Sequence, residues 1–147
     1  MTLSVVIYVC LLSFLLIETV AGCDILVRVK SRTRTPFHAQ VIAPSGKTSE
    51  KKLLNQNGRL LFQEKGSVCG VGPFQIKTFS KGNQNKFDKE EHNIKVRLNG
   101  VGAVTYEVGN DLLPEQVFRQ GAECQGDCAP LAVPQHKKPG RKVAAEE

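Results

Sequence analysis

Asn93-Ile94-Lys95-Val96-Arg97-Leu98-Asn99-Gly100-Val101-Gly102-Ala103-Val104-Thr105-Tyr106-Glu107-Val108 carries the clearest structural signal in the chain. From Asn93 to Leu98 polar and apolar residues alternate strictly, the period of a strand with one buried face. Asn99-Gly100 follows, and Val101 to Val108 reads as further strand. Asn-Gly between two such runs is the preferred two-residue hairpin turn, because its positive φ values match the twist of the flanking strands. The sequence therefore predicts a β-hairpin at this place.

Similar signals recur on the N-terminal side. Asp24 to Lys30 alternates, with Ile25, Val27 and Val29 on one face and Arg28 and Lys30 on the other. Phe37 to Ala43 resumes the pattern, and Pro44-Ser45-Gly46-Lys47 supplies turn chemistry. Thr48 to Leu54 reads as a weak strand or a loop. Asn55-Gln56-Asn57-Gly58 is a second turn cluster, followed by the short apolar run Arg59 to Glu64. Phe74 to Phe79 alternates again after Gly70-Val71-Gly72-Pro73, and Ser80 to Glu91, charged and rich in Asn and Lys, reads as a solvated loop.

On the C-terminal side Asp111 to Gln120 gives the single helical hint. Asp111 is placed to cap and Pro114 to occupy the first turn, although Pro114 equally suits an extended crossover. Short strands punctuated by turns at such intervals define an all-β class. The expectation is a small disulfide-supported antiparallel sandwich or barrel of about six to seven strands, with a disordered C-terminal tail.

The chain has 147 residues, which suits one domain and excludes large multidomain enzymes. Val5 to Val20 is almost wholly apolar, and Val20-Ala21-Gly22 supplies the small residues of a signal-peptide cleavage site. Residues 1–22 are thus expected to be a signal peptide, 23–128 a secreted extracellular β domain, and 129–147 a basic disordered tail. Val20-Ala21-Gly22-Cys23 also fits a lipobox that would lipidate Cys23, and an uncleaved anchor is a third reading. The apolar run is short for a spanning helix, so no stable membrane insertion is expected after cleavage.

Cys10 would leave with the signal peptide, turning the odd total of five cysteines into an even set: Cys23, Cys69, Cys124 and Cys128. An even set in a short exported chain reads as a disulfide framework. The favoured pairing is Cys23–Cys69 with Cys124–Cys128, since a C-x3-C spacing can close on itself in a turn. The crossed pairing, Cys23–Cys124 with Cys69–Cys128, stays open at this level.

Catalytic constellations are sparse. His38, His92 and His136 fall in unrelated segments, and Asp88, Glu90 and Glu91 sit among lysines in a mixed-charge run. Cys124, Cys128 and His136 could ligate zinc only if the cysteines were reduced. Gly70-Val71-Gly72 lacks the rest of a phosphate loop, and no Gly-x-Ser-x-Gly elbow is present. No enzyme activity, cofactor or metal is expected.

The net charge is +6. Arg28, Lys30, Arg32 and Arg34 form one basic stripe, whose alternate positions share a face if extended, and Lys47, Lys51 and Lys52 form another. Nucleic-acid modules set aromatic platforms beside such patches, which these phenylalanines in strand contexts do not offer, so nucleic acid is not an expected partner. The first stripe suits an acidic extracellular surface or sulfated glycan. The alternative is an extracellular carrier enclosing a small apolar ligand. Gly140-Arg141-Lys142, after Lys137-Lys138, also looks like an amidation and dibasic processing site in the tail.

Cys23 to Ser31 (CDILVRVKS), Phe37 to Gly46 (FHAQVIAPSG), Phe74 to Ser80 (FQIKTFS) and Leu98 to Gly109 (LNGVGAVTYEVG) together resemble a nematode family of small secreted uncharacterised proteins, some associated with the uterine lumen. The resemblance implies an extracellular fluid-phase protein. It brings no catalytic residues with it.

Overall fold

The computed structural model describes residues 22–67, 69–82, 89–126 and 128–129. Residues 1–21 of the expected signal peptide, with Cys10, then Asp88, and the tail from residue 130, with His136 and its dibasic sites, lie outside them. Among the described residues there are nine strands and no helix: β1 (Cys23–Ser31), β2 (Phe37–Ile42), β3 (Lys52–Leu54), β4 (Arg59–Gly66), β5 (Phe74–Ser80), β6 (Lys89–Asn99), β7 (Val101–Val108), β8 (Pro114–Gln120) and β9 (Glu123–Gln125). They form two sheets, ordered β4-β1-β7-β8 and β3-β2-β5-β6-β9. The all-β, disulfide-supported fold is therefore present, as a sandwich rather than a barrel. The strand number exceeds the expected six to seven because β8 falls in the segment read as a helical hint and β9, three residues long, is too short to show a period.

Alternation decides which side of each strand is buried. Cys23, Ile25, Val27 and Val29 of β1 face inward, as do Phe37, Ala39 and Val41 of β2 and Phe74 and Ile76 of β5. These meet Val96 and Leu98 of β6 and Val104, Tyr106 and Val108 of β7 in one continuous core. Most pairings are antiparallel, but β1 and β7 run parallel, with Val27 beside Val104 and Lys30 beside Glu107. A parallel neighbour requires a long connection, and here the chain makes it by passing through the other sheet.

The predicted hairpin at Asn99-Gly100 does not form. β6 belongs to the five-stranded sheet and β7 to the four-stranded one, so Asn99-Gly100 is a corner between facing sheets. Gly100 has φ of 80°, but Asn99 is not among the positive-φ residues, so the paired positive values of the hairpin turn are missing. Facing parity gives the physical reason. A two-residue hairpin sets Leu98 opposite Val101, which would turn Val101, Ala103, Thr105 and Glu107 inward. The corner instead buries Val104, Tyr106 and Val108, a larger apolar set without a carboxylate.

Two further expectations are corrected. Asp111 to Gln120 forms no helix: Pro114 opens β8, which pairs with β7 around a bulge between Thr105 and Tyr106. Cross-strand bonds to β7 outcompete a weak helical signal in a segment that contains Pro and Val. Likewise Lys89 to Glu91 is not loop but the start of β6, paired with Phe79 and Ser80 across a second bulge. Thr48 to Leu54 resolves into a single bridge, Ile42 to Thr48, and β3.

Each open side of the sandwich is tied across the sheets. On one side Cys23–Cys69, with Cα atoms 5.7 Å apart, links the start of β1 to the approach to β5. There Lys47 Nζ also donates to the Gln63 carbonyl of β4 at 2.8 Å. On the other side β9 pairs with β6, while the Ala129 carbonyl accepts from Arg119 Nε (3.0 Å) and Ala129 N–H donates to Gln116 Oε1 (2.7 Å). Cys124–Cys128, spanning 6.1 Å between Cα atoms, shapes that C-terminal hook. The locally closing pairing is thus the observed one.

Candidate anion-binding surface

The outer face of the four-stranded sheet is built by the residues that the alternation turns away from the core. β1 contributes Asp24, Leu26, Arg28 and Lys30, flanked by β4 and β7. At one end the charges are matched. Asp24 accepts from Gln63 Nε2 at 2.7 Å and lies 3.2 Å from Lys65 Nζ, and these two partners, Gln63 foremost, hold its carboxyl below the usual carboxylate range.

The opposite end is different. The register sets Lys30 of β1 directly opposite Arg59 of β4, and Arg28 opposite Leu61. Glu107 of β7 is the carboxylate beside Lys30, but Arg32 Nη1 occupies it at 2.8 Å. Among the described residues the ion pairs are Arg32–Glu107, Lys47–Glu64, Lys65–Asp24, Lys77–Glu90 and Lys89–Glu91, and none engages Arg28, Lys30 or Arg59. Like charges facing each other across a strand pair are destabilising. Lys30, Ser31, Arg32, Asn57, Arg59 and Glu107 line a depression of about 410 Å³ at this place.

The stripe read from sequence is thus partly retained. Arg28 and Lys30 share a strand face, and Arg32 follows beyond the strand end at Ser31. Arg34 lies in the bend after β1, where Thr33 is buried and its hydroxyl bonds Asn110 Oδ1 (2.7 Å) and accepts from Thr35 N–H (3.0 Å). Arg34 is exposed and outside the depression. Arg59, which sequence reading left out, joins the set through register alone.

The groups weighed for catalysis are dispersed among other roles. His92 Nε2 lies 3.0 Å from the Asp111 carbonyl, and Glu90 pairs with Lys77 at 2.9 Å. Glu91 is held below its ordinary pKa by a hydrogen bond from Ser80 first and by Lys89 and His92 as well. His38 sits on β2, across the sheet from His92's strand. Among the described residues no His, Cys, Asp and Glu side chains group to hold a metal ion.

A larger groove, about 730 Å³, opens between β6 and β8 beside the C-terminal hook. Ile94, Val96, Tyr106, Leu113 and Pro114 give it an apolar lining, and Lys95, Glu115 and Gln116 a polar one. At its base Gln116 Nε2 donates to Tyr106 Oη at 2.8 Å. Tyr106 is buried, which pushes its phenol up to about 12.

Fold and surface together define a disulfide-bonded all-β sandwich with a cationic face. No family description matches the chain, and no curated protein matches it in sequence. Similar solved structures include the human-specific toxin intermedilysin, with 10% identity and a TM-score of 0.40 over 69% of this chain and 23% of that one. The membrane-binding domain of pneumolysin is similar at 10% identity and a TM-score of 0.34, over 73% of this chain and 98% of that one. The chain spans about a quarter of the length of intermedilysin. The two disulfides are compatible with an extracellular location, since such bonds persist in oxidising compartments.

Proposed function

We propose that this protein is a secreted, non-enzymatic β-module that binds an acidic extracellular partner through the outer face of its four-stranded sheet. The observation that carries the reading is the Lys30–Arg59 pair, two cations in direct register that enter none of the ion pairs among the described residues. An arrangement that weakens the free protein becomes favourable when an anion lies between the charges. The even cysteine set and the resemblance to secreted proteins support the location. Retention on a heparin matrix tests it. Arg28→Gln/Lys30→Gln/Arg59→Gln, all on the outer face, should elute at clearly lower salt than the parent. Unchanged elution would sink the reading.

The groove between β6 and β8 favours a second reading, an extracellular carrier of a small apolar ligand. Its 730 Å³ falls within the range of roughly 300–1,000 Å³ typical of small-molecule sites. Native mass spectra of secreted protein should then contain an adduct; spectra free of any adduct remove this reading.

A further inference from the structure

We infer that the acidic partner is a linear polyanion, a sulfated polysaccharide chain, that straddles the β4 edge of the sandwich. This rests on the surface reading above and extends it to a second patch. Arg59, the first residue of edge strand β4, lines two depressions. One is the 410 Å³ depression it shares with Lys30 and Arg32 on the outer face. The other, about 400 Å³, lies between β4 and the segment leading into β3, where Lys47 and Lys52 join Arg59. The two basic stripes of the sequence, which lie in separate segments of the chain, thus meet at one arginine.

The details of the second depression suit a chain of anions. Lys47 is held in place by its bond to the Gln63 carbonyl and lies 3.8 Å from Glu64, with its ammonium 5.5 Å from the Phe62 ring centre. Lys52 is exposed and enters no ion pair among the described residues. Glu50 is the carboxylate of this depression and leaves the cations in excess. Alternate residues along a strand stand roughly 7 Å apart and neighbouring strands about 5 Å apart, so successive charges from Arg28 through Lys30 to Arg59 are closely spaced. A single small anion needs one depression only. A flat acidic bilayer can rest on the face but cannot follow the charges round an edge. A thin, densely sulfated chain can do both, and releases counterions along its length as it binds.

The test compares heparin oligosaccharides of two lengths, a tetrasaccharide and a dodecasaccharide, binding to the secreted full chain. For the parent the dodecasaccharide should bind at least tenfold more tightly. Lys52→Glu should remove most of that length advantage and flatten the dependence of affinity on salt, while tetrasaccharide binding stays within twofold. Lys47→Gln should act in the same direction, and its thermal melt shows whether loss of the Gln63 bond has unfolded the edge; Lys52→Glu decides the matter if it has. Dodecasaccharide affinity unchanged in Lys52→Glu overturns the straddling chain. If Arg28→Gln/Lys30→Gln still weakens both oligosaccharides in that case, the surface reading survives; if it weakens neither, both fall. Tighter binding to phosphatidylserine vesicles than to the dodecasaccharide also overturns the inference, in favour of a membrane surface.

Discussion

Tyr106 shows how much a single side chain can carry in a sandwich of this size. It is 1% exposed, faces the core from β7, and its hydroxyl accepts from Gln116. Burial disfavours the phenolate and lifts the pKa to about 12, with the Gln116 bond acting in the opposite direction. The folded value lies above the unfolded one. The associated stability is therefore fully present below pH 10 and is lost as pH rises through about 12, an effect of about 3 kcal/mol. Tyr106→Phe should cost about 1 kcal/mol at neutral pH through the lost hydrogen bond, and should reduce the alkaline decline. Urea midpoints from pH 7 to pH 12 measure both. Two glycines of the same stretch make a second comparison. A Cβ at Gly102 would strike the Gln120 carbonyl and the Ala122 amide, backbone groups that cannot move aside. At Gly100 a Cβ meets nothing within 4 Å, and only φ of 80° opposes it. Gly102→Ala should thus cost about 3 kcal/mol or more, against about 1 for Gly100→Ala. Equal urea midpoints for the two variants would contradict this packing.

Among elements, the corner between β6 and β7 had the strongest sequence signal and the least reliable meaning. The strands themselves were legible, because Ile94, Val96 and Leu98 alternate with Lys95 and Arg97. Their partners were not, since Asn-Gly permits a sharp change of direction without specifying which sheet receives the chain. Parity held the missing information: apart from Val101, the larger apolar residues stay on even numbers from Ile94 through Val108, whereas a hairpin would switch the buried set at the turn. The bridges differ in the same way between local and distant. Cys124–Cys128 spans 4 residues and is readable from spacing, while Cys23–Cys69 spans 46 and had to be chosen against a crossed alternative. By loop closure alone, removing Cys23–Cys69 as paired serines should cost about 4 kcal/mol, and removing Cys124–Cys128 about 2. Urea unfolding of the two double variants tests the order, and a costlier local bridge would show that the hook's bonds to Gln116 and Arg119 outweigh closure entropy.

For the molecule as a whole, class, strand faces and core were written locally, because a period of two and the turn residues between runs depend on near neighbours. The sequence by itself determined that Ile25, Val27, Val29, Phe37, Phe74 and Ile76 would be inside, and that the chain would be all-β with two bridges. Tertiary structure alone decided which strands became neighbours: β1 beside β7 in parallel, β6 and β7 in opposite sheets, and β8 as a strand instead of a helix. The cationic site belongs to that second kind. Arg28 and Lys30 were visible in a stripe, but Arg59 faces Lys30 only through the β1–β4 register, and Lys47 and Lys52 join it only across the sheet edge. The physical reason is one of range. Alternation acts within a strand, whereas the position of a charge on a sheet is fixed by pairings between segments far apart in sequence, and those follow from how the two apolar faces fill one core.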